Sequence, residues 1–91
     1  MAGARVVIDE LRELIVRAAP DEAQAAPVRG CRSDEPLDKI MPFSSVIVLG
    51  TVIAIEDRYG ITVRHADLVR ALDGGVTLDR LAALVDELRN R

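Results

Sequence analysis

Aromatic side chains are nearly missing: the chain holds no tryptophan, one tyrosine and one phenylalanine, 2 % of its residues. Any core must therefore be aliphatic, drawn from the Leu, Val, Ile and Ala that dominate its 49 % hydrophobic content. Cysteine occurs once, at Cys31, so no intramolecular disulfide can form and a reducing compartment is the default. A lone loop cysteine reads as inert rather than reactive. With one cysteine and one histidine, His65, there is no paired spacing for a metal, and none is expected. Charge of a single sign is not concentrated either. The 15 acidic and 12 basic residues leave a net charge of −3, and both signs run through both halves. No Lys/Arg cluster with interleaved aromatics points to nucleic acid. The uncharged run 41–55 falls short of the roughly 20 residues a membrane span needs. The N-terminal segment carries Arg5, Asp9 and Glu10 where a secretory apolar region would carry no charge. A soluble, cytoplasmic protein is expected.

The 91 residues make one domain, 1–91, by the usual scale of roughly 100–200 residues per domain. A chain this short buries only about 60–65 % of its unfolded surface, so its stability is modest. Val7, Ile8, Leu11, Leu14, Ile15 and Ala18 recur at three- and four-residue steps among charged residues, which predicts an amphipathic helix over about 4–19, stopped by Pro20. From 20 to 42 the sequence turns to Pro, Gly, Ala, Ser and charge without periodicity, and reads as a long loop. Leu37, Ile40 and Met41 are its apolar cluster and pin its end to the core. A short helix is expected over 65–72, with Ala66, Val69 and Leu72 as apolar positions and Gly74-Gly75 behind it. The last helix, 77–89, starts from Thr77 as N-cap, with Asp79 well placed against the dipole. Its buried stripe is Leu78, Leu81, Ala82, Val85 and Leu88.

The central segment is ambiguous on propensity. Val46-Ile47-Val48-Leu49 before Gly50 and Thr51 suits a buried strand as well as a helix. Three features favour a helix over 44–59. No second strand-like run exists to satisfy its backbone groups, Ser44 is a good N-cap, and Gly60 follows the last periodic residue, where a left-handed residue often ends a helix. Gly50 inside it costs up to about 1 kcal/mol relative to alanine, which packing must offset. Val48, Val52 and Ile55 are the expected core stripe. Some of Val46, Ile47, Leu49 and Ile53 are expected near the surface.

A Ser44-Ser45 pair at the mouth of an apolar helix that closes on Glu56-Asp57-Arg58-Tyr59-Gly60-Ile61 resembles the modification site of acyl and peptidyl carrier proteins. In that family Asp-Ser-Leu begins the second helix, which ends in an acidic run followed by an aromatic residue, Gly and Ile. Counting back from Tyr59-Gly60 with the family's spacing, the resemblance implies that Ser45 carries 4′-phosphopantetheine. Ser44 then stands where the family has Asp, Val46 where it has Leu, and Gly50 where it tends to have an acidic residue. The helix order matches over nearly the whole chain. The resemblance implies an all-α, carrier-protein-like four-helix bundle with a long loop between its first and second helices. It further implies a discrete, monomeric acyl or peptidyl carrier, not an enzyme, holding intermediates as thioesters. A polyketide, nonribosomal peptide or related pathway fits the variant motif better than housekeeping fatty-acid synthesis. Its partners would be a phosphopantetheinyl transferase and acyl- or aminoacyl-loading and condensing enzymes. From a different class comes the alternative of an unmodified, carrier-like interaction module that docks through the apolar second helix.

Serine-hydrolase chemistry needs a base that reaches the nucleophile and a group that orients it. His65, with Asp67 two residues on, is the only candidate, and no Gly-x-Ser-x-Gly elbow occurs. His65 is better explained as an exposed residue opening the short helix. Glu56-Asp57 and Asp86-Glu87 read as solvated helix faces.

Overall fold

The computed structural model describes residues 2–41 and 44–90, and the side chains of residues 7–41, 44 and 46–90. Pro42 and Phe43, within the segment on which the resemblance rests, lie outside the described residues. Among the described residues every regular element is helical: α1 (Ala2–Ala18), α2 (Glu22–Ala25), α3 (Ser45–Tyr59), α4 (His65–Leu72) and α5 (Leu78–Arg89). The helices expected over 4–19, 44–59, 65–72 and 77–89 correspond to α1, α3, α4 and α5. The radius of gyration, 11.9 Å, is close to the roughly 12 Å of a compact chain of this length.

The first helix packs on α2, α3, α5 and the 3₁₀ turn Ala26–Gly30, while α4 packs on α5. Leu11, Ile15 and Val16 are fully buried along it, and Val7, Ile8 and Leu14 are half-buried against the same core. Val16 lies outside the expected stripe because α1 meets neighbours on more than one side. The segment 20–42 is not devoid of structure. Asp21 caps the single turn of α2, its Oδ1 accepting from the Ala23 amide at 3.0 Å, and 3₁₀ turns follow at Ala26–Gly30 and Leu37–Lys39. Ala25 and Val28 are buried together with Leu37 and Met41, so the segment's apolar contribution extends beyond the cluster read from sequence. The Arg12 guanidinium donates to the carbonyls of Val28 (2.8 Å) and Cys31 (2.6 Å), satisfying backbone groups that would otherwise face the core. The Leu37 amide donates to the Val76 carbonyl at 2.9 Å and the Asp79 amide to the Ser33 carbonyl at 3.0 Å, lacing the segment to the start of α5.

In α3 the buried stripe is Ile47, Thr51 and Ile55, one residue round from the expected Val48, Val52 and Ile55. Val48 and Val52 are half-buried at its edge. Gly50 explains the offset. A Cβ at that position would stand 3.3 Å from the Ala18 Cβ and 3.6 Å from the Ala18 carbonyl oxygen. The end of α1 thus presses against α3 at its glycine, and the rotation that admits α1 there turns Ile47 inward. In α4 the expected face is also displaced: Ala66 and Val69 are exposed, while Leu68 and Leu72 are half-buried. Asp67 takes the buried place, accepting from the Arg64 amide at 3.2 Å and from Arg70 at 3.3 Å. Arg70 also reaches Glu87 at 2.9 Å and so joins α4 to α5. In α5 Leu78, Leu81, Val85 and Leu88 are buried as expected; Leu84 is buried too, and Ala82 is half-buried.

Two adjacent positions of α3 are expected to respond in opposite directions. Gly50→Val drives a branched side chain into Ala18 and is expected to cost about 1–3 kcal/mol in urea unfolding. Thr51 is 2 % exposed, and its hydroxyl finds no hydrogen-bond partner among the described residues. Thr51→Val keeps the shape and removes the orphaned group, so it is expected to stabilise by about 1 kcal/mol. A Thr51→Val protein no more stable than wild type would mean that the hydroxyl is satisfied in solution.

Candidate functional site

The start of α3 is assembled from local chemistry. Ser44 is extended (φ −73°, ψ 167°) and exposed, and its Oγ accepts from the Ile47 amide at 3.4 Å. Its carbonyl accepts from the Val48 amide at 2.9 Å, the first bond of the helix. Ser45 is therefore the first residue of α3; its side chain lies outside the described ones. No acidic residue stands in the first turn, so the positive end of the helix dipole is not neutralised by a carboxylate of its own helix. Just before this turn Met41 is buried and Ile40 half-buried, which anchors the approach.

The far end of α3 closes on Gly60 in the left-handed region (φ 63°, ψ 37°), with the amides of Gly60 and Ile61 both donating to the Glu56 carbonyl. The Glu56 carboxylate turns outward along the chain and accepts from the Val63 amide at 2.9 Å, setting the path into α4. Glu56 is thus a structural tie rather than the freely solvated residue read from sequence. Tyr59 is half-buried, with the guanidinium groups of Arg58 and Arg89 each 5.6 Å from its ring centroid, a cation–π arrangement.

The other sequence candidates do not converge on Ser44. His65 is exposed as the first residue of α4, and Asp67 is engaged by Arg64 and Arg70. The Cys31 thiol donates to the Val28 carbonyl at 3.3 Å and lies 3.6 Å from Arg12, a half-buried packing role. No group of three His, Cys, Asp or Glu able to hold a metal occurs among the described residues. An open groove of about 410 Å³ between α1 and the end of α3 is lined by Asp9, Glu10, Glu13, Leu14, Arg17 and Arg58. Its carboxylates are already paired, Asp9 with Arg12, Glu10 with Arg58 and Glu13 with Arg29. The Arg29 hydrogen bond holds the Glu13 carboxyl below its ordinary range.

What lies beside the serine pair is apolar. Val46, Leu49 and Ile53 are 66, 62 and 56 % exposed, whereas Ile47, grouped with them on sequence, is 6 % exposed. A helix uncharged from Ser45 to Ile55 signals that some apolar face must be exposed; which one depends on the Gly50 contact, and no local pattern announces it. Neither a protein-family model, nor a curated protein, nor a solved structure matches this chain.

Tyr59 supplies a pH readout of how tightly this end of α3 is packed. Burial, and then the Glu10 carboxylate, raise its phenol above the ordinary 10.0. As pH rises past 10.0 the unfolded chain loses this proton before the folded one. The stability Tyr59 contributes is thus present below 10.0 and lost as pH climbs through the folded value. Absorbance titration of this sole tyrosine is expected to give a midpoint above that of free tyrosine, and Tyr59→Phe to flatten the alkaline loss of stability.

Proposed function

We propose that this chain is a discrete acyl or peptidyl carrier, a carrier-type four-helix bundle formed by α1, α3, α4 and α5, with 4′-phosphopantetheine attached at Ser45. The observation that carries the reading is the frame of α3: a 15-residue helix that opens at Ser45 behind a serine cap and closes at Tyr59 on a left-handed glycine. The site suits the group. A phosphodiester at a first turn meets free amides and the positive end of the dipole, favourable by roughly 0.3–1 kcal/mol at an exposed position. The arm, when attached, supplies a thiol that carries an acyl or aminoacyl group as a thioester. The protein's own part is to hold the serine at a chain turn, capped by Ser44, where a transferase using coenzyme A can reach it. No catalytic role falls to it. In this reading it works in the cytoplasm, as a monomer towards its transferase and its loading and condensing enzymes, in a secondary-metabolite pathway. The exposed stripe beside the site makes docking on α3 depend on apolar contact more than on the acidic steering implied by the resemblance.

One observation favours the second reading, an unmodified interaction module: the same three exposed side chains would mark a contact face without any arm. Intact mass after incubation with coenzyme A and a broad-specificity phosphopantetheinyl transferase separates the two. Wild type is expected to gain one arm, Ser45→Ala none. Ser44→Ala is expected to keep the gain while losing about 0.5–2 kcal/mol as a missing cap. Ser44→Asp, which caps equally well and restores the family's charge, is expected to be modified faster without loss of stability. No mass gain in either wild type or Ser44→Asp favours the interaction module; an arm mapped to Ser44 overturns the register.

A further inference from the structure

Three of the four large apolar side chains left exposed among the described residues stand on α3. At 3.6 residues per turn, Val46, Leu49, Ile53 and Asp57 succeed one another by three, four and four positions and form one stripe, opposite the buried Ile47, Thr51 and Ile55. Asp57 is exposed, and among the described residues no cation pairs with it. The stripe thus ends in a lone carboxylate at one end of the helix. At the other end is a first turn with no acidic residue to complement its dipole.

This pattern is complementary to itself reversed. Two α3 helices laid antiparallel about a two-fold axis set Leu49 against Ile53 of the second copy, and Ile53 against its Leu49. Each Asp57 then reaches the N-terminal turn of the other helix, beside Val46, where an anion is favoured. A second copy supplies both the apolar stripe and the positive helix end from the same helix, already at the matching spacing. We propose that α3 docks antiparallel on α3 of a second copy of this chain through Val46, Leu49 and Ile53, with Asp57 closing each end. The contact is isologous and closes at two subunits. Three side chains offer an apolar patch of a few hundred Å², against about 800 Å² per partner in a standard interface, so the dimer is weak and reversible. The proposal does not rest on Ser45 carrying an arm, but it brings Asp57 of the second copy to the turn that begins at Ser45, so pairing and access to Ser45 compete.

Sedimentation equilibrium of the unmodified full chain, from about 10 µM to about 1 mM, tests this. The weight-average mass is expected to climb from 9.9 kDa towards twice that value. Leu49→Asp is expected to stay monomeric throughout, with Leu49→Ser as the milder variant should the first not fold. Asp57→Lys is expected to weaken the dimer about tenfold. A wild-type chain still monomeric at the highest concentration overturns the proposal. So does a dimer that both Leu49 variants leave intact, and an unchanged dissociation constant for Asp57→Lys overturns the antiparallel arrangement. A monomer whose Leu49→Ser variant is modified more slowly by the transferase assigns the face to a different protein, and also overturns self-pairing.

Discussion

The second long helix is apolar almost all round, and the rest of the protein packs against only one side of it. The contact of Ala18 with Gly50 decides which side. A glycine in mid-helix is an intrinsic weakness, yet here it lets two backbones approach where any larger side chain would hold them apart. Once α1 sits there, Ile47, Thr51 and Ile55 point into the core, and Leu11, Ile15, Leu78 and Val85 complete an aliphatic interior among the described residues. The same rotation leaves Val46, Leu49 and Ile53 in water. Core packing and exposed surface are two results of one helix crossing.

Helix ends were legible in the sequence because capping is local chemistry. Ser44 and Thr77 accept amide hydrogen bonds as N-caps, and Gly60 adopts the left-handed conformation that its position calls for. Faces were less legible. Val16 and Leu84 are buried, Val69 is exposed, and the inward stripe of α3 is offset by one residue, because faces follow from neighbours that a periodic pattern does not identify. The 20–42 segment concealed most. It lacks helical periodicity, but Ala25 and Val28 are buried within it, and Arg12 of α1 donates to two of its carbonyls. Of the candidate site, the serine cap was legible from residue type and some exposed apolar surface on α3 from its lack of charge; that Ile47 turns inward while Val46, Leu49 and Ile53 stay outside was not.

That the cap of α3 is a serine, Ser44, has a physical meaning of its own. A serine satisfies an amide as a neutral dipole, leaving the positive end of α3 uncompensated by its own side chains. The charged residues of α3 collect at the opposite end, where Glu56 is drawn into a hydrogen bond with the Val63 amide and Arg58 into an ion pair with Glu10. The helix is therefore electrically lopsided: neutral side chains where its backbone is most positive, charged ones where its backbone is most negative.

The two backbone bonds that lace residues 33 and 37 to residues 79 and 76 give the middle of the chain an unusual standing. A connecting stretch of this length would ordinarily open on its own, exposing its peptide bonds to proteases and its amides to deuterium long before the helices loosen. Here, opening it breaks the entry to α5 and uncovers Val28 and Leu37. The linker and the final helix should lose protection together, so that limited digestion meets either an intact chain or a largely unfolded one, with little in between.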